Sequence, residues 1–309
     1  MLNAATFVLF IVVVAFAGST FAWASAASIA IWVVWAVVLI IYSVQQYTAF
    51  FTTTSKRLFP VDFLRSKDLV LLYVATSCAA TCNAVTLYYI PLFFVFTRGD
   101  TALDAAVRLL PFIIVFIFFV MFAGATLPLV GRYSLYYLVG GALLTTGSAL
   151  MFTIRAETKV ANIYGYEILI AAGAGITFQN AYAIAASKVK KDDAPNAIGF
   201  INTSQIGTTA LALAIASCLY QNLGVKFLGE ALSVYDFPRA FLQSALGGAG
   251  SQALGNAPPE AARLATQTIA YTIARLFGMN LAAGALMMFA ALLMKHEKID
   301  LAEVVAGGG

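Results

Sequence analysis

Residues 106–129 read AVRLLPFIIVFIFFVMFAGATLPL, an apolar run with a single charge, Arg108, near its start. A helix of about 20 apolar residues crosses the roughly 30 Å hydrocarbon core of a bilayer. A transmembrane strand would instead alternate apolar and polar residues over about ten positions, whereas this stretch is apolar all round. It predicts a membrane-spanning α-helix. Working outward, the same reading predicts eight spans, at about 3–22, 26–47, 69–97, 106–129, 134–154, 162–187, 196–223 and 270–294. The predicted fold class is all-α and polytopic, with the lipid bilayer as its solvent.

Composition agrees with this reading. Of 309 residues, 61% are hydrophobic and 10% charged, against about 25% charged in soluble domains. The net charge of +4 reflects basic loop residues that orient the chain, so no nucleic-acid partner is predicted. Cys78, Cys82 and Cys218 lie in apolar segments as an odd count, which argues against a disulfide framework. A zinc site needs more ligands than Cys78 and Cys82, and the single histidine, His296, is far along the chain. No metal, cofactor or catalytic residue is predicted, since the chain carries neither a Walker-type glycine loop nor a Gly-x-Ser-x-Gly elbow. It does not read as an enzyme.

The first span has two readings, a retained helix or a secretory signal; the absence of a basic stretch before the apolar run favours the retained helix. Lysines and arginines of short loops stay cytoplasmic. Lys56, Arg57, Arg65, Lys67, Arg132, Lys188, Lys190, Lys191, Lys295 and Lys298 fall on one side, against Arg98, Arg155 and Lys159 on the other. Both termini are therefore expected in the cytoplasm. This divides the chain into a two-helix hairpin (1–47), a cytoplasmic linker (48–68) and a six-helix domain (69–309). Within that domain, a long extracytoplasmic loop at 224–269, with Gly247-Gly248, Gly250 and Pro258-Pro259, is expected to be irregular, with a helix start at Pro259.

Charges within hydrocarbon cost several kcal/mol, so intramembrane ionisable residues mark candidate substrate or ion paths. Glu167 in span six has two readings of equal standing: it binds a cationic compound or a proton, or it is structural, pairing with Arg108 or a backbone donor. Arg108, before Pro111, reads first as an interfacial anchor. Gln179, Asn180 and Tyr182 follow in span six, while Asn202, Gln205 and Thr209 lie at helical spacing in span seven, giving a polar stripe for interhelical bonding or a central cavity. Span three holds Asn83 and then Tyr88-Tyr89-Ile90-Pro91. Pro91 can kink the helix and expose carbonyls, and the tyrosines are either stacking surfaces or part of the interfacial belt. The Ala171-Ala172-Gly173-Ala174-Gly175 run reads as a close helix contact.

Tyr88-Tyr89-Ile90-Pro91-Leu92-Phe93-Phe94, Arg98-Gly99-Asp100 and Ala105-Ala106-Val107-Arg108-Leu109-Leu110-Pro111 are followed by Gly131-Arg132-Tyr133, Gly140-Gly141, Tyr164-Gly165-Tyr166-Glu167 and Phe200 with Gln205 and Gly207. In this order, over about residues 70–223, they resemble the C-terminal portion of fungal fourteen-span drug:proton antiporters of the major facilitator superfamily. The resemblance implies export of small, mostly hydrophobic compounds, coupled to protons, by alternating access across the plasma membrane in preference to the vacuole. It implies that the first two spans are the pair between the two halves of that fold. It makes Asn83, Tyr88, Tyr89, Glu167, Gln179, Asn180, Asn202 and Gln205 candidates for the substrate cavity. Pro91, Arg108, Pro111, Gly131, Arg132, Gly173, Gly175 and Gly207 are candidates for structural or gating roles. It also leads to the expectation that the chain is truncated and inactive alone, needing a missing N-terminal six-helix half or a second copy. The competing expectation is a non-transporting scaffold, or a half-transporter that works with a partner or as a homodimer.

Overall fold

The computed structural model describes residues 2–16, 23–48, 59–248, 255 and 257–298. The long helices are α1 (Leu2–Phe16), α2 (Ala26–Thr48), α3 (Lys67–Arg98), α5 (Leu110–Val130), α6 (Tyr133–Phe152), α7 (Val160–Phe178), α10 (Thr208–Ala231) and α12 (Pro259–Leu293). Shorter ones are α4 (Ala102–Val107), α8 (Asn180–Ser187), α9 (Ala194–Asn202) and α11 (Arg239–Leu246). Among the described residues there is no strand. Counting α4–α5, α7–α8 and α9–α10 as composite spans, seven helices are long and apolar enough to cross a membrane, and α1 is a shorter apolar helix of 15 residues. At about 1.5 Å per residue α1 reaches roughly 22 Å; residues 17–22 of the predicted first span lie outside the described residues.

Three predicted spans are not continuous α-helices. Span four is a composite of α4 and α5: the chain turns at Arg108-Leu109 because Pro111, at the N-terminus of α5, has no N–H to continue the preceding helix. Thr101 caps α4 reciprocally with Asp104. Span six breaks at Gln179, between α7 and α8. Span seven contains one π-helical turn, Thr203–Gly207, between α9 and α10. By contrast α3 runs unbroken through Pro91, so the expected break there is absent. Gly131, at φ 69°, ends α5 in the left-handed conformation that glycine adopts without strain, and exposed Arg132 leads into α6.

With lipid outside, backbones gain most by approaching closely where side chains are small. At the α6–α7 crossing, a Cβ on Gly140 would lie 2.5 Å from Thr177 Cγ2, and one on Gly173 would lie 2.6 Å from the Gly140 carbonyl oxygen. Gly175 meets the Phe116 carbonyl oxygen of α5 just as closely, at 2.6 Å. Gly141 and Gly284 join α6 to α12, where a Cβ would stand 2.8 Å from Met288 Cγ and from the Thr145 nitrogen respectively. α12 lies along both α6 and α3, and α10 closes the bundle against α12 and α3.

Asn280 fastens α12 to α3. It is fully buried, and its Nδ2 donates to the Cys82 carbonyl and to Thr86 Oγ1, each at 3.2 Å. Asn280→Leu removes both bonds inside hydrocarbon, where such contacts are worth about 0.6–1.7 kcal/mol. Its thermal midpoint in detergent is expected to fall by several degrees, whereas Asn222→Leu, whose amide bonds the Cys218 carbonyl of its own helix, leaves it nearly unchanged. Equal midpoints for Asn280→Leu and wild type would refute the clasp.

Residues 224–248 are more ordered than the expected irregular loop, while 249–254 and 256, with Gly250, lie outside the described residues. α10 continues to Ala231, and α11 folds back on it, placing Leu246 against Gly224 and its carbonyl oxygen 3.2 Å from the Tyr220 hydroxyl. Leu242, Ala245 and Leu246 are buried at the spacing of one helix face. Phe59 and Phe63 pack on Phe200, at ring distances of 5.2 and 5.9 Å, so the described end of the predicted linker is part of the packing; residues 49–58 lie outside the described residues.

Candidate functional site

The π turn is where polar residues of different helices meet. A π turn carries one residue more than an α turn, so it shifts the faces of everything beyond it. Asn202 is exposed and Gln205 buried, yet both turn towards Tyr182 of α8. Within the turn, three consecutive side chains leave in different directions. Thr203 faces the hairpin α1–α2, lining a cavity there. Ser204 Oγ donates to the Tyr73 carbonyl at 2.7 Å and lies 2.8 Å from Ser77 Oγ, which accepts from Thr208 at 3.0 Å. Because the Ser204 proton is committed to Tyr73, Ser77 must donate to Ser204. Gln205 Nε2 donates to the Phe178 carbonyl at 3.1 Å, and Gln205 Oε1 and Asn202 Oδ1 lie 2.7 and 3.2 Å from the Tyr182 hydroxyl.

The structure thus brings together Asn202, Gln205 and Tyr182, beside the α7–α8 break where exposed Gln179 sits. It does not gather the other candidates into the same set of hydrogen bonds. Asn180 is buried but donates back across the break to the Ile176 carbonyl of α7 at 2.8 Å. Asn83 has a buried Oδ1 with no hydrogen-bond partner. The two tyrosines separate: Tyr88 is 59% exposed, as a belt residue is, while Tyr89 is buried with its ring 5.7 Å from that of Tyr220. Gly207 accommodates Phe7 of α1, whose ring would stand 2.8 Å from a Cβ there.

Glu167 is fully buried on α7, and neither carboxylate oxygen has a hydrogen-bond partner. The structural reading, a pair with Arg108, fails because Arg108 is taken elsewhere. Its guanidinium forms an ion pair with Asp100, donating to Oδ1 at 3.0 Å and to Oδ2, and lies 4.7 Å over the Phe94 ring. Asp100 is only eight residues away and wins by proximity, leaving Glu167 alone. A buried charge without a counter-charge or donor is among the most costly features a membrane helix can hold.

The Arg108 hydrogen bond holds the Asp100 carboxyl below the usual carboxylate range. A depressed folded-state value stabilises the fold above the unfolded carboxyl value of about 4, and the gain is lost as pH falls through the lower folded value. Between pH 6 and pH 3, the wild-type melting temperature is expected to fall further than that of Asp100→Asn, the two curves converging at the acid end. Parallel curves would remove the pair from the stability of this loop.

Several polar contacts escaped the sequence reading. Arg275 of α12 lies between Phe152 and Tyr271, with its Cζ 4.2 and 4.4 Å from their ring centres. Asp68, Lys188, Lys295 and Glu297 form a charge network joining the ends of α3, α8 and α12, with Asp68 Oδ2 3.6 Å from Lys188 Nζ and 3.4 Å from Lys295 Nζ. His296 Nδ1 is 2.8 Å from Ser134 Oγ. Arg275 and Asn280 were findable, since each interrupts an apolar run as Glu167 does; the partners in the charge network are fixed only by the fold. Among the described residues no group of histidine, cysteine and carboxylate side chains is placed to hold a metal ion.

Long apolar helices, tight small-residue crossings and a few buried polar groups define an integral multi-pass membrane protein. No protein-family model matches the chain. It is 38% identical to the efflux pump patC of Aspergillus clavatus and 34% identical to the MFS-type transporter patC of Penicillium expansum, over 96% of this chain and 54% of each relative. It is also 34% identical to the MFS-type transporter pgmG of Aspergillus terreus, over 93% of this chain and 51% of that protein. The chain is thus homologous, over nearly all of its length, to fungal proteins named MFS-type transporters and efflux pumps. It spans about half the length of the curated relatives it matches.

Proposed function

We propose that this chain exports small, mostly hydrophobic compounds across a membrane, in exchange for protons, together with a complementary six-helix unit supplied by further sequence, a separate chain or a second copy. The observation that carries this reading is Glu167, a buried carboxyl without a partner in a chain whose relatives are named efflux pumps. A group so placed is stabilised by taking up a proton or a cationic compound, the two charges such an exporter handles. Gln179, Asn202 and Gln205 are assigned to the compound's path near the π turn, with Asn83, Tyr88, Tyr89 and Asn180 as further lining. Alternating access uses the interface between helical repeats, and the breaks at Gln179 and Thr203–Gly207 are points where a helix can bend without losing a regular turn.

On this reading residues 1–47 are the connecting hairpin, 48–68 a cytoplasmic linker and 69–309 the six-helix domain. Both termini are cytoplasmic, and the membrane is the plasma membrane. The gathering of Asp68, Lys188 and Lys295 at one end of the bundle supports this side as the basic, cytoplasmic one. Proton coupling is tested in proteoliposomes carrying an internal pH dye. Adding a neutral apolar compound is expected to start a proton flux opposite to the compound's movement. Compound flux that ignores an imposed pH gradient would exclude protons as the coupling ion.

A further inference from the structure

We infer that the hairpin and the six-helix bundle enclose a second binding site, lateral to the polar residues around the π turn, for a neutral, mostly apolar, ring-containing small molecule. A cavity of about 660 Å³ lies between α1, α2, residues 59–64, α3 and α10, within the range of about 300–1,000 Å³ typical of small-molecule sites. Its walls include the rings of Phe7, Phe10, Trp35, Tyr42 and Tyr73, with Thr203 of the π turn. Aromatic walls favour a flat apolar ligand, which gains ring stacking as well as burial.

Charge decides between occupants. Among the described residues no charged side chain lines the cavity, so the phosphate of a lipid headgroup finds no counter-ion on these walls, and an ionised drug against them would be buried unpaired at a cost of several kcal/mol. A neutral molecule meets no such penalty. The polar groups present are few: Asn3 Nδ2 donates to the Tyr42 hydroxyl at 2.9 Å, leaving that hydroxyl's own proton to offer to a ligand oxygen. The indole N–H of Trp35 is buried without a hydrogen-bond partner, a second donor that an acceptor-bearing ligand satisfies once the ring turns towards it. The class is therefore a neutral, ring-containing apolar compound, for which a hydrogen-bond acceptor adds to binding without being required.

The position is as informative as the chemistry. Thr203 faces this cavity, while the next two residues, Ser204 and Gln205, hold Tyr73, Phe178 and Tyr182 on the bundle side. Tyr73 itself both lines the cavity and accepts the Ser204 bond. An occupant that shifts Thr203 or Tyr73 must move the same turn that carries the proposed path. This inference concerns binding alone, so the loss or presence of export does not bear on it.

The test is photolabelling of the full chain in phosphatidylcholine nanodiscs with the neutral probe 3-trifluoromethyl-3-phenyldiazirine. Label is expected on peptides containing Phe7–Phe10, Trp35–Tyr42 and Tyr73. It should fall about tenfold with N-phenyl-1-naphthylamine at about ten times its dissociation constant. Ser43→Phe and Leu211→Phe, which add a ring to the cavity from α2 and from α10, are expected to lose the same label while eluting as folded protein; if either fails to fold, competition in wild type decides. Label no stronger than on lipid-facing Ile114, Phe118 and Met121, and indifferent to the competitor, would overturn the inference. Displacement by phosphatidic acid but not by the naphthylamine would assign the cavity to lipid and overturn it equally.

Discussion

Gly173→Val and Gly175→Val are each expected to cost about 3 kcal/mol or more of stability, at the upper end of overpacking penalties, and to leave little folded protein in the membrane. The atoms that a Cβ would strike are the backbone carbonyls of Gly140 and Phe116, both at 2.6 Å. A flexible side chain can swing away, but a helix backbone yields only by moving the whole helix. Both contacts lie on α7, so either substitution separates it from a neighbour, α6 for Gly173 and α5 for Gly175. Gly124 and Gly165 have nothing within 4 Å of a built Cβ. Gly124→Ala and Gly165→Ala should therefore be neutral or stabilising by up to about 1 kcal/mol through helix propensity. Thermal unfolding followed with a thiol-reactive dye, which reaches Cys82 and Cys78 (0 and 4% exposed) only on unfolding, separates the two groups. Similar midpoints for all four variants would contradict the crossing geometry.

Glu167→Gln is expected to abolish export, with at least about a tenfold loss corresponding to more than about 1.4 kcal/mol, while the protein keeps or slightly gains stability. Glutamine has nearly the shape of glutamate and removes only the ability to hold a proton or balance a cation. A purely structural carboxyl would behave oppositely: with neither oxygen bonded, no interaction is lost on substitution and transport would continue. Glu167→Asp keeps the chemistry and withdraws the carboxyl by one methylene, so partial activity is the expected result. The midpoints and dye retention of the three proteins, measured on the same preparations, distinguish the two roles.

The membrane spans were legible because hydrocarbon imposes a simple demand, about 20 apolar residues in a row, and α3, α6 and α12 meet it around the expected centres. Span interruptions were less so. Pro91 suggested a break, yet α3 is continuous, while the turn at Arg108-Leu109 follows from a proline, Pro111, whose position was known but whose effect was underestimated. The π turn at Thr203–Gly207 has no residue signature; it is tied to bonds from Ser204 and Gln205 to two other helices, which no local pattern contains. The same holds for the pairing of Arg108. Both Glu167 and Asp100 were visible as carboxylates, and the choice between them depended on how the α3–α4 connection folds. Gly173 and Gly175 read as a close-contact run because packed membrane helices reward small residues, and a Cβ on either would stand 2.6 Å from a carbonyl oxygen. The partners, Gly140 on one side and Phe116 on the other, required the fold.

Export itself is measured most directly in yeast cells deprived of their own efflux pumps and loaded with the neutral apolar dye Nile red. The cells express this chain alone, or with the portion of the Aspergillus clavatus pump that it does not match. Dye loss faster than in vector cells, abolished by a protonophore and by Glu167→Gln, is the predicted result in at least the second setting. Dye retention equal to vector cells in both settings, with the chain present in the membrane in equal amount, would contradict the assignment.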